Sequence, residues 1–187
     1  MRNENLNKVD LSQYDNSWYN IGRGKFCVII WYFINLLFIK NRYNPSSTLK
    51  VFVLRVFGAK IGKKCVIKPG VNIKYPWNLI VGNNVWIGEG VWIDNLAQVV
   101  IDSNVCISQG AMLLCGNHNY KSSTFDLMIG EIHIEEGAWV GAQSIVCPGI
   151  TMKSHSVLSV GSVASSDIEA YSIYRGNPAI KIKDRVI

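Results

Sequence analysis

An apolar residue recurs at every sixth position over more than half of this chain, and no other feature constrains its fold as strongly. A small or apolar residue usually follows four positions later, and most places between carry glycine or polar residues. A period of six matches neither an amphipathic helix nor an alternating strand. The repeat lies between Ile61 and Ala164 and is carried by Ile61, Ile67, Ile73, Val81, Ile87, Ile93, Ile101, Ile107, Leu113, Ile134, Val140, Val146, Met152 and Leu158.

A six-residue repeat is typical of a parallel β-helix, in which each repeat forms one short strand and one corner. The repeated apolar side chain faces the interior, and three repeats close one triangular coil. The spacing also lengthens to twenty residues from Ile61 to Val81 and from Val81 to Ile101. We assign the two extra residues of successive coils to the pairs 79–80 and 99–100, and we place both pairs at one corner.

The composition is that of a single domain with an appended arm, since the chain has 187 residues and 49% of them are hydrophobic. A net charge of +6 favours anionic partners such as a membrane surface or a phosphate-rich cofactor. No nucleic-acid-binding motif accompanies this charge, so nucleic acid is not expected. The five cysteines form no C-x-x-C pair and indicate free thiols in a reducing compartment. The chain shows no signal peptide at its start, and we expect it in the cytoplasm.

We divide the chain into three parts. Residues 1–60 form an N-terminal arm with apolar helices, residues 61–166 form the β-helix, and residues 167–187 form a turn and a basic tail. The repeat is interrupted at 114–133, which we interpret as a loop extruded from the β-helix. Long loops on a rigid scaffold often carry function, and this one has His118 at its root.

The arm contains two apolar segments with different predicted roles. Residues 26–39 are too short to span a membrane, which takes roughly 18 or more apolar residues. Two interpretations stay open: a helix packed on the protein or on a sister subunit, or a helix in the membrane interface with Trp31 and Tyr32 at headgroup depth. Residues 49–57 predict a short helix that closes the end of the β-helix, with Lys50 and Arg55 outside. Residues 1–25 are polar with a few aromatic residues, as in an arm that lies along another surface.

Five segments carry a more specific signal: Leu54–Gly62, Tyr75–Trp77, Asp94–Leu96, Cys115–Tyr120 and Arg175–Ala179. They resemble the hexapeptide-repeat acyltransferases, and within them the sugar O-acetyltransferases of the colanic-acid biosynthesis type. The resemblance covers nearly the whole chain from about residue 15. It implies an all-β fold built on a left-handed parallel β-helix, acetyl-CoA as co-substrate, a homotrimer and no metal.

Acetyl transfer to a hydroxyl needs a base for the hydroxyl proton and donors for the oxyanion. Among the three histidines, His118 matches the catalytic histidine of the family, and the resemblance implies direct transfer with His118 as general base. We assign His133 a structural position and His155 a surface corner. Cys115 is not favoured as a covalent nucleophile, because no nearby sequence feature would activate its thiol.

The resemblance also supplies binding residues. On the acceptor side it gives Asn95, with Asn117 and Asp126 as weaker candidates. On the cofactor side it gives Trp139 for the pantetheine channel and cations for the coenzyme phosphates. The chain departs from the family at Ser166 and Ile180, where basic residues are common. The remaining cofactor candidates are the small residues Gly141, Ala142, Gly161 and Ser162 and the cations Arg175, Lys181 and Lys183.

We therefore predict a homotrimeric O-acetyltransferase that acts on a saccharide for exopolysaccharide, capsule or lipopolysaccharide synthesis. The acceptor could be lipid-linked, and the enzyme could touch the inner face of the membrane. Two alternatives stay open. A zinc carbonic anhydrase of the γ type uses the same fold but needs three histidines on adjacent coils. A non-catalytic β-helix scaffold would bind no acetyl-CoA.

Overall fold

The computed structural model describes residues 8–187. Its N-terminal part contains a short 3-10 turn (Leu11–Gln13), helix α1 (Lys25–Ile34), a π-helical continuation (Asn35–Ile39) and helix α2 (Ser47–Val56). The rest of the chain is almost entirely short strands. In chain order these are β1 (Lys60–Ile61), β2 (Val66–Ile67), β3 (Asn72–Ile73), β4 (Leu79–Val81), β5 (Trp86–Ile87), β6 (Trp92–Asp94), β7 (Val99–Ile101), β8 (Cys106–Ile107), β9 (Met112–Leu114), β10 (Gly116–His118), β11 (Leu127–Ile129), β12 (Ile132–Ile134), β13 (Trp139–Val140), β14 (Ile145–Val146), β15 (Thr151–Met152), β16 (Val157–Leu158), β17 (Val163–Ala164), β18 (Ser172–Gly176) and β19 (Ala179–Asp184).

The strands stack into the three faces of a parallel β-helix, as the six-residue repeat predicts. Face A holds β1, β4, β7, β12 and β15. Face B holds β2, β5, β8, β13, β16 and β18, with β19 added antiparallel at its end. Face C holds β3, β6, β9, β14 and β17. The repeated residues superpose from coil to coil: Ile61 pairs with Val81, Val81 with Ile101, and Ile101 with Ile134.

The six-residue spacing works because each strand places one side chain inside the coil. The repeated residues form one continuous buried core, and Ile67, Ile87 and Ile107 on face B are each only 1% exposed. The corners are tight enough to select residues as well. A Cβ on Gly141 would lie 2.6 Å from the carbonyl oxygen of Leu158 in the next coil, so glycine at this position is explained by stacking alone.

The placement of the extra residues in the long coils was wrong. Leu79 and Val99 are buried within strands β4 and β7 and do not lie at a corner. The added length is taken up by the preceding turns, and the first of these forms a 3-10 helix at Pro76–Asn78. These turns bulge from the corner between faces C and A.

Helix α2 closes the base of the β-helix, by which we mean its N-terminal end. Its Leu54 is fully buried, and Ser46 caps its first turn by accepting a hydrogen bond from the Leu49 amide. Lys50 was expected outside but is fully buried, and its ammonium donates to the carbonyl of Ile67 over 3.1 Å. This carbonyl belongs to the first coil, where no preceding coil exists to pair with it. Burial lowers the pKa of Lys50.

Helix α1 packs beside the first coil on face C. The membrane-interface interpretation would place Trp31 at the depth of lipid headgroups, but Trp31 is 2% exposed and its indole donates to the carbonyls of Ile73 and Lys74, as in a helix packed on the protein. Tyr32, its neighbour, is 62% exposed. Between residues 8 and 187, no helix combines the length and the apolar character needed to cross a bilayer. At the opposite end, the β18–β19 hairpin covers the last coil with Tyr174.

Candidate active site

The predicted loop is an antiparallel hairpin that leaves the β-helix at the corner between faces C and A. Its strands β10 and β11 pair Gly116 with Ile129 and His118 with Leu127. The neck is closed by the amide of Gly130, which donates to the carbonyl of Cys115 over 2.9 Å. The chain then rejoins the β-helix on face A at β12, where Ile134 pairs with Ile101. The hairpin is therefore an insertion that leaves the register of the coils unchanged.

His118 is held from several sides. Its Nδ1 lies 2.9 Å from the carbonyl oxygen of Phe125, and its ring stacks on the Phe125 ring with centroids 4.5 Å apart. A carbonyl oxygen can only accept a hydrogen bond, so Nδ1 must carry the proton. In the neutral ring Nε2 then has the free lone pair, and none of residues 8–187 forms a hydrogen bond with Nε2 in this structure. Such an imidazole is ready to accept a proton at Nε2.

Phe125 itself has an unusual backbone conformation. Its φ is 54°, in the left-handed region that aromatic residues rarely adopt. Here the strained residue supplies both the carbonyl and the ring that fix His118.

The N-terminal arm lies against this hairpin, which the sequence did not predict. The amide of Asp10 donates to the carbonyl of Ser123, and the Tyr14 ring lies 5.7 Å from the His118 ring. The hydroxyl of Tyr19 donates to the carbonyl of Leu96 over 2.7 Å. The only signal in the sequence was the aromatic residues of the arm, which indicated that it packs on something but not on what.

The arm, the hairpin and the side of the β-helix enclose a cavity of about 380 Å³. An ion pair between Lys74 and Asp94, 2.9 Å long, lies on its wall. Burial raises the pKa of Tyr75, and also that of Tyr19, so both phenols stay protonated. The cavity therefore offers hydroxyl groups, a paired charge and aromatic faces around one imidazole. Its lining is Tyr14, Asn16, Tyr19, Ile21, Lys74, Tyr75, Asp94, Leu96, Gly116, Asn117, His118 and Leu127.

The three predicted acceptor residues lie in three different environments. Asn117 lines the cavity, and its side chain accepts a hydrogen bond from the His118 amide. Asp126 lies at the hairpin tip, where hydrogen bonds from Thr124 and Ser122 lower its pKa. Asn95 is fully buried, and its amide bonds both the N–H and the carbonyl of Tyr75. We therefore withdraw Asn95 from the acceptor residues, because its polar atoms are already used to hold the turn.

The other histidines lie away from this cavity. His133 on face A contacts Asp102, with Nε2 and Oδ2 3.0 Å apart. His155 stacks on Tyr171 at 4.8 Å. Cys115 is fully buried, and burial raises the pKa of its thiol to about 12, so the thiol stays protonated near neutral pH. Among the described residues, no group of three or more His, Cys, Asp or Glu side chains is arranged to hold a metal ion.

The predicted cofactor residues lie on face B and at the corner between faces B and C, away from the His118 cavity. Trp139 is 46% exposed, and its indole donates to the Ser108 hydroxyl. Ser162 is buried, and its hydroxyl accepts from the Gly176 amide. Lys181 pairs with Glu169 and Asp184 at 3.0 and 2.9 Å, and these contacts raise its pKa. Lys181 is exposed, as are Gly161, Arg175 and Lys183. Ala142 is half-buried and Gly141 is buried.

No protein-family model matches the chain. WcaF of Escherichia coli (strain K12), named provisionally as a colanic acid biosynthesis acetyltransferase, is 38% identical over 137 residues, which is 73% of this chain and 75% of WcaF. The galactoside O-acetyltransferase of the same strain is 25% identical over 158 residues, covering 80% of this chain and 75% of that protein. A hexapeptide-repeat acetyltransferase from Vibrio cholerae O1 biovar eltor, solved with acetyl-CoA, superposes with a TM-score of 0.78 at 16% identity; 87% of this chain and 89% of that one are covered.

The six-residue β-helix, together with these similarities, places the chain in the class of hexapeptide-repeat acetyltransferases. The similarity to WcaF is strong enough, and covers enough of both proteins, to go one step further. The chain belongs to the acetyltransferase family of WcaF. The predicted fold and family are thereby confirmed.

Proposed function

We propose that this protein transfers the acetyl group of acetyl-CoA to a hydroxyl of a saccharide, with His118 as the general base. The observation that carries the proposal is the 2.9 Å contact between His118 Nδ1 and the Phe125 carbonyl, in a cavity lined by polar and aromatic groups. The contact fixes the tautomer in which Nε2 can take the acceptor's proton. An imidazole suits this role near neutral pH.

The reaction proceeds by direct attack. Nε2 of His118 accepts the proton of the acceptor hydroxyl as its oxygen attacks the thioester carbonyl of acetyl-CoA. The tetrahedral intermediate then collapses, the carbon–sulfur bond breaks, and the acetyl ester remains on the saccharide. The imidazolium returns its proton to the departing thiolate, which leaves as coenzyme A. No covalent enzyme intermediate is needed, in agreement with the protonated state of the Cys115 thiol.

The saccharide class rests on the cavity and on the relatives. Tyrosine rings and hydroxyls, together with the Lys74–Asp94 pair, suit a ring that presents C–H faces and several hydroxyls. Asn117 and Asp126 are the acceptor candidates that remain from the sequence. WcaF is named for colanic acid biosynthesis, and the second relative for galactosides. We therefore assign the protein to exopolysaccharide, capsule or lipopolysaccharide synthesis.

The acetyl-CoA site would lie along face B and the corner between faces B and C. Trp139 would line the pantetheine channel beside the closely stacked Gly141 and Ala142. Arg175 and Lys183 are exposed cations for the phosphates, whereas Lys181 would first have to leave two carboxylates. The neighbour from Vibrio cholerae was solved with acetyl-CoA, which supports this choice of donor.

A homotrimer would join the two halves of the site. Within one chain His118 lies at the corner between faces C and A, whereas Trp139 lies on face B. Side-by-side packing of three identical β-helices would bring the hairpin of one chain to face B of the next. We place this trimer in the cytoplasm, where acetyl-CoA is available, with a peripheral contact at the inner face of the membrane.

The test is acetyl transfer from labelled acetyl-CoA to a panel of sugars and oligosaccharides. His118→Ala should lower kcat/KM by a factor on the order of 10² to 10⁴, because a positioned base is removed. His133→Ala is the matched control, since His133 lies on face A outside the cavity. Equal activity of His118→Ala and the wild type would contradict the proposal. Carbon dioxide hydration dependent on stoichiometric zinc would favour the carbonic anhydrase, and a lack of acetyl-CoA binding would favour the scaffold.

A further inference from the structure

The helices at the base of the β-helix expose an unusual number of large apolar side chains. Helix α1 and its π-helical continuation bury Trp31 and Ile39 against the coils, and α2 buries Leu54. Their opposite sides are apolar too. We call these exposed residues the base surface: Phe26, Ile29, Ile30, Tyr32, Phe33, Leu36, Leu37, Leu49, Phe52 and Val56, each at least 38% exposed.

The spacing shows that these residues form stripes along both helices. On the first helix Phe26, Ile29, Phe33 and Leu36 follow each other at three- and four-residue intervals, and on α2 Phe52 and Val56 are four apart. Residues at these intervals share one side of a helix. Soluble proteins rarely expose contiguous apolar surface on this scale unless it contacts another molecule.

The positive charge of the chain is concentrated in its N-terminal half. Residues 16–88 contain eleven Lys and Arg residues and no Asp or Glu, whereas the remaining residues contain eight basic and thirteen acidic ones. The positive net charge of the protein therefore comes entirely from the segment that contains the helices, the first coil and the start of the second. Several of its cations border the base surface. Lys25 begins α1, Lys40 and Arg42 follow the π-helical turn, and Lys63 and Lys64 flank Phe52 in a shallow depression.

An anionic lipid bilayer complements both properties. An apolar helix side bordered by Lys and Arg lies in the interface plane, with its apolar side chains among the acyl chains and its cations at the headgroups. At ten residues, α1 is about 15 Å long, roughly half of the hydrocarbon thickness of a bilayer, so this geometry places it along the surface. A second copy docked base to base would oppose two sets of cations, and residues 16–88 supply no carboxylate to offset them.

We propose that the base surface docks this protein on anionic lipid bilayers. The occupant is the lipid surface itself, and docking depends on neither acetyl transfer nor trimer formation. A cavity of about 300 Å³ between α1 and face C shares Lys74, Tyr75 and Asp94 with the His118 cavity. The two cavities are therefore neighbours, and docking by the base would bring the cavity beside α1, with the wall that it shares with the His118 cavity, close to the bilayer surface.

The experiment is flotation of the full-length protein with two kinds of vesicle, one of phosphatidylcholine alone and one with equal parts of phosphatidylcholine and phosphatidylglycerol. The wild type should float with the mixed vesicles, and raised salt should reduce the bound fraction. The double variant Phe33→Glu and Phe52→Glu should bind at least about tenfold less, because carboxylates replace apolar contacts. Lys40→Glu with Arg42→Glu should lose the preference for the anionic vesicles.

Val186→Glu is the matched control, because Val186 is 94% exposed and lies in the C-terminal tail, outside the base surface. It should float like the wild type. Circular dichroism would confirm that all variants are folded, as expected for exposed positions. A wild type that stays unbound with phosphatidylglycerol vesicles would overturn the proposal. Unchanged vesicle binding by both double variants would also overturn it. A third contradicting outcome is a wild type that binds no vesicles but forms an oligomer, which the double variant Phe33→Glu with Phe52→Glu dissociates.

Discussion

Side chains are held differently in the coils of the β-helix and in the two segments attached beside the coils. These attached segments are the N-terminal arm and the β10–β11 hairpin. In the coils, residues such as Ile107 are buried between branched apolar neighbours in the coils on either side, here Ile87 and Val140. In the attached segments, His118 is half-buried and held by one carbonyl and two rings. Under the proposed function this difference separates two tasks: the coils supply stability and position, and the attached segments supply reactive groups.

The largest effect on stability is expected from the coils. Ile107→Ala should lower the free energy of unfolding by about 2–5 kcal/mol, because it leaves a cavity between tightly stacked layers. Thermal and urea unfolding would measure the loss. Activity per folded molecule should stay near the wild-type value, because Ile107 is separated from the His118 cavity. A small loss of stability would mean that the coils adjust more freely than their packing indicates.

A smaller effect, on catalysis rather than on stability, is expected from the hairpin. Phe125→Ala removes the ring that stacks on His118, and aromatic pairs of this kind contribute about 0.5–1.5 kcal/mol. We expect kcat to fall by up to about tenfold, with KM for acetyl-CoA unchanged. Phe125→Tyr should restore kcat, because it keeps the stacked ring. If Phe125→Ala unfolded the protein as readily as Ile107→Ala, the separation of tasks would fail.

The smallest effect is expected at Cys115, where the coil meets the hairpin. Cys115→Ala should keep its acetyltransferase activity, because a thiol with a pKa of about 12 is not a nucleophile near neutral pH. Alkylation of Cys115 at pH 8 should be slow in the folded protein and fast in denaturant. The ordinary pKa of this thiol is 9.0, so the unfolded chain loses the thiol proton at a lower pH than the folded protein does. The Cys115 thiol should therefore lower the free energy of unfolding as the pH rises from 9 towards 12. Loss of activity in Cys115→Ala would point to a covalent route.

The sequence predicted the coils well because every repeat places the same kind of residue in the same environment. Residues such as Val81 and Ile101 could thus be assigned to the interior without knowledge of their partners. The turns before β4 and β7 broke the repeat, so the extra residues were misplaced there. Lys50 was misplaced because its burial depends on the Ile67 carbonyl of the first coil, which accepts from the Lys50 ammonium and the Ser47 hydroxyl and which no local pattern reveals.

The candidate site was only partly predictable for a related reason. His118 could be found because it follows directly from the end of the repeat and matches a family motif. The contribution of Tyr14 and Tyr19 depends on where the arm folds back, and this contact spans about a hundred residues of sequence for Tyr14 and His118. Asn95 matched the family but is used by the Tyr75 backbone. A motif predicts the residue type at a position, whereas the neighbours in the folded protein determine whether its polar atoms are free to bind a substrate.

The central claim is that the hairpin holds His118 in one tautomer, with the proton on Nδ1 and the lone pair on Nε2. The most direct measurement is nitrogen NMR of ¹⁵N-histidine-labelled protein, with His118→Ala used to assign the resonances. We predict that, with the ring neutral, the His118 signals show a protonated Nδ1 and an unprotonated Nε2. A neutral ring with its proton on Nε2, and thus no bond to the Phe125 carbonyl, would contradict the account.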